Sequence, residues 1–177
     1  MKSYKCLNNQ CFSEKEYTIV PIRRNDQIYH LRQKNPLTLN DQNKYFNEII
    51  SKLFETDQPN QILFSFLKNN QCKGYGGLVH INWEEKKAEI SFLLNTTSNE
   101  KSFESSWISF LKLIEKVAFQ ELLFNRIYAY VFDVRKNLYP ILAKCNYILE
   151  SRIRDDYSYN GKCFDSLIYS KINDFKI

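Results

Sequence analysis

The apolar positions of the chain alternate between period two, the spacing of a half-buried strand, and period 3.6, the spacing of an amphipathic helix. Tyr17 to Arg23 (YTIVPIR) is β-branched with a Pro suited to a strand end, and predicts a first strand. Helices are expected at Asp26 to Gln33 and at Leu39 to Phe54. In the second, Asn40 stands where a cap would, and Tyr45, Phe46, Ile49, Ile50, Leu53 and Phe54 form one stripe. Gln61 to Lys68 and Gly74 to Trp83 read as a hairpin around the polar turn Asn69 to Lys73, and Ala88 to Leu94 follows as a third antiparallel strand. In that strand Ala88, Ile90, Phe92 and Leu94 share one face, while Glu89, Ser91 and Leu93 share the other.

From Phe103 the period changes. Phe103, Trp107, Phe110, Leu111, Ile114, Val117 and Ala118 recur at helical intervals to about Glu121, with Ser102 as the expected cap. Arg126 to Phe132 (RIYAYVF) is another strand, so residues 88 to 132 predict a βαβ unit whose strands run parallel. A short helix is expected at Asn137 to Lys144, with Pro140 in its first turn. The strands Tyr147 to Tyr157 and Cys163 to Ile172 flank Asn160-Gly161, a type I′ hairpin signal. The order β, αα, βββ, α, β, α, ββ predicts an α+β domain with one mixed seven-stranded sheet.

With 177 residues, four Gly and four Pro, the chain has room for one core and no linker composition to divide it. Residues 1–16 are expected to form an irregular leader, and residues 17–177 a single domain. Aromatics at 15% exclude intrinsic disorder, and no apolar run approaches the ~20 residues that cross a bilayer. The N-terminal segment lacks the h-region of a secretory signal, so a cytoplasmic protein without membrane attachment is expected. Five cysteines with no C-x-x-C pair fit reduced thiols and no metal. The 25 basic and 20 acidic residues are scattered, which gives a net charge of +5 and no stripe for nucleic acid.

The stretch VAFQELLFNRIYAYVFDVRKNLYPILAKCNY, followed by ESRIRDDYSYNGKCFDSLIYS, resembles the GNAT superfamily of acetyl-CoA-dependent N-acetyltransferases. The similarity spans residues 17 to 172 and is carried by Ala118-Phe119, Glu121-Leu122, Asn125-Arg126-Ile127, Lys144, Glu150, Arg154, Gly161 and Asp165. It points to the subgroup of ribosomal-protein alanine and amino-sugar acetyltransferases, and to a sheet with helices on both faces around a central βαβ cofactor unit. The family's pyrophosphate loop has Gly residues that here fall on Phe103 and Ser105. Asn99 to Ser106 contains no Gly and two acids, Glu100 and Glu104, so the loop is degenerate. The family's frequent Tyr general acid falls on Leu142, and the Gly four residues beyond it on Asn146.

The resemblance implies acetyl-CoA as co-substrate, bordered by Ser91, Phe92 and Leu93, with Lys101, Ser102, Ser105, Ser106, Arg135 and Asn137 as the remaining groups for its phosphates and arm. Direct acetyl transfer needs a neutral amine and a route for its proton. Glu89 is the candidate base, or else a solvated strand residue pairing with Lys73 or Lys87. His80 has a pKa suited to proton transfer, or is structural. Tyr139 is the phenol nearest the missing general acid, or packs at a helix start. Asp133 reads as an acceptor contact or a helix cap. Arg24 and Arg32, with Arg23, are placed to hold a nucleotide-sugar phosphate, or are simply exposed. The implied acceptor is the primary amine of a small molecule, with a nucleotide-linked amino sugar foremost. The alternatives are a protein N-terminus or Lys, and a GNAT-shaped binding or scaffold module without turnover. Monomer and homodimer are both compatible.

Overall fold

The computed structural model describes residues 2–23, 26, 38–95 and 100–174, the side chains of Glu100 and Lys101 excepted. The expected helix Asp26 to Gln33 therefore lies outside the described residues, save Asp26 itself. The strands are β1 (Phe12–Glu14), β2 (Tyr17–Pro21), β3 (Ile62–Lys68), β4 (Gln71–Asn82), β5 (Lys87–Leu94), β6 (Arg126–Phe132), β7 (Ile148–Tyr159) and β8 (Lys162–Ile172). The helices are α1 (Leu39–Tyr45), continued through a π turn at Phe46–Ile50 into α2 (Ser51–Glu55), then α3 (Glu100–Glu115), which ends in a π turn at Lys116–Glu121, and α4 (Leu138–Lys144).

Among the described residues the sheet has eight strands in the order β1-β2-β3-β4-β5-β6-β8-β7, one more than the seven expected. The extra strand is β1, which pairs antiparallel with β2 from Phe12↔Ile19 to Glu14↔Tyr17. The leader is thus not irregular throughout. Tyr4 and Leu7 are buried in the core, and the Tyr4 hydroxyl accepts from the Leu63 N–H at 2.8 Å and donates to the Leu63 carbonyl at 2.9 Å. A three-residue strand is too short to display a period, so its apolar positions read as scatter.

Among the described residues only β5 and β6, joined through α3, pair in parallel, as the βαβ pattern predicts. Helix α3 lays Trp107, Phe110, Leu111, Ile114, Val117 and Ala118 into the core. There Phe92 stacks on Phe110 at 3.8 Å, and Phe66 meets both rings edge-on at 5.2 and 5.9 Å. Gly76 permits that approach: a Cβ on it would lie 2.2 Å from the Ser91 carbonyl and 3.0 Å from the Phe110 ring.

Local signals differ in two places. Helix α1 is capped by Thr38, whose hydroxyl accepts from the Asp41 N–H at 3.1 Å while the Asp41 carboxylate accepts from the Thr38 N–H at 3.0 Å. This capping box, not Asn40, starts the helix. The described part of helix α3 already includes Glu100, so the expected cap Ser102 lies inside the helix, where the first turn has no apolar stripe to mark it. Asn160 and Gly161 both take positive φ, at 49° and 73°, as the type I′ turn requires. Among the described residues, no helix is long and apolar enough to cross a membrane.

Candidate active site

The parallel register of β5 and β6 runs from Lys87↔Arg126 to Ile90↔Ala129 and stops there, although β5 continues to Leu94 and β6 to Phe132. The outer neighbours hold these ends. Ser91 to Leu94 stay paired with β4, and Tyr130 to Phe132 with β8. Two strands anchored outward while unpaired inward must part, and among the described residues no strand lies beside the inner edge of β5 past Ile90. A cavity of about 340 Å³ fills the gap. Its walls include Glu89, Ser91, Phe92 and Leu93 of β5, Val79 and His80 of β4, Tyr130 and Phe132 of β6, Trp107 of α3, Arg135 before α4, Leu138 and Leu142 on α4, and Asn60 and Gln61 before β3.

Glu89 and His80 meet because β4 bulges. The register steps from Val79↔Glu89 to Asn82↔Lys87, which sets His80 and Ile81 opposite Ala88 alone. His80 takes a positive φ of 49°, a strain of order 1–2 kcal/mol, and the Ile81 N–H donates to the Asn60 carbonyl at 3.1 Å. The bulge leaves His80 Nε2 3.9 Å from Glu89 Oε2, with the imidazole 66% exposed and the carboxylate 14%. Tyr128 lies beside Glu89 in the parallel register, and its phenol is pushed up first by burial and then by the Glu89 charge. The cavity thus pairs a shielded carboxylate with a solvent-facing imidazole, an arrangement that can accept a proton at Glu89 and pass it to water.

Arg135 follows β6 in a turn fixed by its N–H on the Phe132 carbonyl and by the Leu138 N–H on its own carbonyl, each at 3.0 Å. Its guanidinium is half-buried on the cavity wall, and burial lowers its pKa below the usual guanidinium range. Leu142 does line the cavity, so the position of the family's phenol offers no proton there. Asn146 has a φ of 61°, a left-handed conformation that Asn tolerates in place of the family's Gly.

The remaining candidates stand elsewhere. Tyr139 is not on the cavity wall; its hydroxyl donates to Asp133, and burial and that carboxylate raise its pKa. Asp133 neither lines the cavity nor caps α4: it accepts from Tyr139 and pairs with Arg152 Nη2 at 3.4 Å, while Asp165 holds Arg152 Nη1 at 2.8 Å. Ser105 Oγ lies 3.2 Å from the Tyr17 hydroxyl, Ser106 is buried, and Ser102 presents its carbonyl to Ser105. Burial pushes the Tyr17 phenol up, but bonds with Ser105, Lys68 and Ser106 outweigh it and hold the phenol below its ordinary value. These serines thus lie toward β2 rather than on the cavity wall. Asn137 is exposed at the α4 N-cap without a side-chain bond there. Arg24, Arg32 and the side chain of Lys101 lie outside the described residues. Sequence reasoning missed Trp107, Leu138 and Tyr130 as wall residues, since the same apolar spacing serves a core and a cavity beside it. Among the described residues, no three His, Cys, Asp or Glu side chains converge as a metal site requires.

The family profile of the acetyltransferase (GNAT) domain matches residues 19–168. No curated relative matches the sequence. Among solved structures, the spermidine N-acetyltransferase of Vibrio cholerae in complex with CoA and spermine is 15% identical with a TM-score of 0.75, covering 90% of this chain and 97% of its own. A dodecameric form of the Vibrio cholerae spermidine enzyme is 14% identical with a TM-score of 0.73, covering 90% and 95%. A probable acetyltransferase is 18% identical with a TM-score of 0.74, covering 92% and 96%. At these identities the likeness is one of fold.

Proposed function

Because the chain belongs to the GNAT acetyltransferase family, we propose that it transfers an acetyl group from acetyl-CoA to the primary amine of a small molecule, with the parted ends of β5 and β6 as the reaction site. The observation that carries this is the cavity at the end of the parallel register, with Glu89 shielded in its wall and His80 beside it. The free edge of Ser91, Phe92 and Leu93 offers amides to a pantetheine arm and a donor to the thioester carbonyl. The amine nitrogen attacks the carbonyl carbon and the C–N bond forms. Glu89 takes the amine proton, directly or through water, and the C–S bond breaks. The departing thiolate is protonated from solvent, since Leu142 has no proton to give. His80 relays the proton from Glu89 outward.

For the acceptor, the sequence favours a nucleotide-linked amino sugar, and a polyamine is the competitor suggested by the acceptors named for the Vibrio structures. The degenerate loop, with Phe103 packed toward Trp107 at 6.2 Å, supports cofactor binding weaker than a Gly-rich loop would give. Leu142 and that loop also favour a second reading, a binding protein without turnover. Thermal-shift titration with acetyl-CoA tests the first step, since ligand at 100 times its Kd adds ~2.7 kcal/mol to stability. Release of free thiol with a UDP-amino sugar, spermidine and an N-terminal peptide then sorts the acceptors. Stabilisation without thiol release would leave the binding protein; neither at millimolar acetyl-CoA would overturn both.

A further inference from the structure

Arg126 is paired with Glu150, and Arg152 with Asp133 and Asp165. Arg135 differs. Among the described residues its guanidinium has no hydrogen bond or ion pair, although it is half-buried on the cavity wall that it shares with Phe132, Leu138 and Leu142. Asp133, two residues away in the chain, accepts from the Tyr139 hydroxyl and pairs with Arg152, and Asp165 pairs with Arg152 and accepts from the Asp155 N–H at 3.1 Å. Among the described residues the cavity wall carries one carboxylate, Glu89, which lies beside His80 on β4 and Tyr128 on β6. A cation withdrawn from water without a counter-charge is costly, and a fold retains one where an anion arrives to complete it.

We propose that Arg135 is an anion-binding residue of the cavity, and that its partner is a phosphate or carboxylate oxyanion carried in by the ligand. This deepens the acetyltransferase reading. The oxyanion has two sources, the phosphates of CoA or an acidic group on the amine acceptor. A purely cationic acceptor such as a polyamine supplies none. The planar fork of a guanidinium suits either oxyanion in two-point contact.

Calorimetry with CoA, pantetheine and inorganic pyrophosphate on the wild type, Arg135→Gln and Arg135→Lys separates the sources. If the CoA phosphates sit on Arg135, Arg135→Gln weakens CoA about 10- to 100-fold, leaves pantetheine unmoved, and Arg135→Lys recovers part of the loss. If the acceptor brings the anion, both cofactor affinities stay put and KM rises about tenfold for an amine bearing a carboxylate or phosphate, but not for a neutral one. Ligand-free Arg135→Gln should melt no lower than the wild type, because it removes an unpaired cation. A melting point several degrees lower with every affinity unchanged would make Arg135 structural and overturn the proposal. A wild type that ignores CoA yet binds pyrophosphate through Arg135 would sink the acetyltransferase reading and leave the anion site standing.

Discussion

The two ends of the sheet are held by different forces. Around β3 nearly every side chain is buried on both faces, and the contacts are ring on ring: Phe66 with Phe92 and Phe110, and Tyr4 with Phe54 at 4.5 Å. Past β6, strand β7 is exposed along almost its whole length. There the ties are polar: Tyr130 and Ser166 donate to Asp156, Arg126 and Ser170 to Glu150, and Arg152 to Asp165. Apolar burial stabilises in proportion to area, whereas ion pairs in contact with solvent contribute little. The cavity lies on the seam, so its β5 wall is set by the aromatic core and its β6 wall by a polar lattice.

Phe66→Ala breaks the first region most directly. Emptying a fully buried ring site should cost about 3–5 kcal/mol, read as a lower denaturant midpoint. Its counterpart is Phe132→Ala, where a half-buried ring stacks on Tyr157 at 4.1 Å; the loss there should be about 1–1.5 kcal/mol. Equal losses would end the distinction between the two regions.

At the seam itself the expected effect is on rate. Glu89→Gln keeps the shape of the β5 wall and removes the base, so turnover should fall about 10²- to 10⁴-fold while acetyl-CoA affinity stays within about twofold. An unaltered pH–rate profile would assign the proton route to another group.

How much of this was legible follows the same division. The parallel β5–α3–β6 unit was readable because a strongly periodic helix separates two apolar strands, and Asn160-Gly161 announced its turn by backbone preference alone. Strand β1 and the first turn of α3 were not, since a period needs several residues that bury a face. Tyr139 and Asp133 were assigned to the site from their place in the chain. Arg152, the partner of Asp133, and Asp165 behind it come from β7 and β8, and no local pattern encodes such a meeting. Glu89 and His80 were found from alternation, but the bulge that joins them depends on the β4–β5 register.

The third test compares two buried phenols, one in each region. Tyr4→Phe removes both bonds to Leu63 and should cost about 1–3 kcal/mol. Burial raises the Tyr4 pKa above its value in the unfolded chain, and Tyr147 is raised likewise, by burial and then by Glu115. The stability that follows is fully present below about pH 10, where both states hold the proton. Above that the unfolded chain ionises first and stability is lost. Melting points should therefore be insensitive to these phenols up to about pH 9 and fall beyond pH 10, and Tyr4→Phe should flatten part of that fall. A variant with an alkaline limb as steep as the wild type would leave Tyr147 as its main source.

The smallest effects are expected in the polar lattice. Arg152 is 52% exposed, so its pairs with Asp133 and Asp165 are screened, and Arg152→Ala should cost less than about 1 kcal/mol. Tyr139→Phe removes the donor to Asp133 but leaves Arg152 at 3.4 Å, so the carboxylate keeps a partner, and the ring keeps its stacking on Tyr169 at 5.9 Å. Because Tyr139 is off the cavity wall with its proton held by Asp133, turnover in Tyr139→Phe should stay within about threefold of wild type, while Glu89→Gln falls at least a hundredfold. Steady-state kinetics decides it. A tenfold or larger drop in kcat for Tyr139→Phe at unchanged acetyl-CoA affinity would draw the phenol into the reaction, and would mean that the Asp133 bond opens when substrate binds.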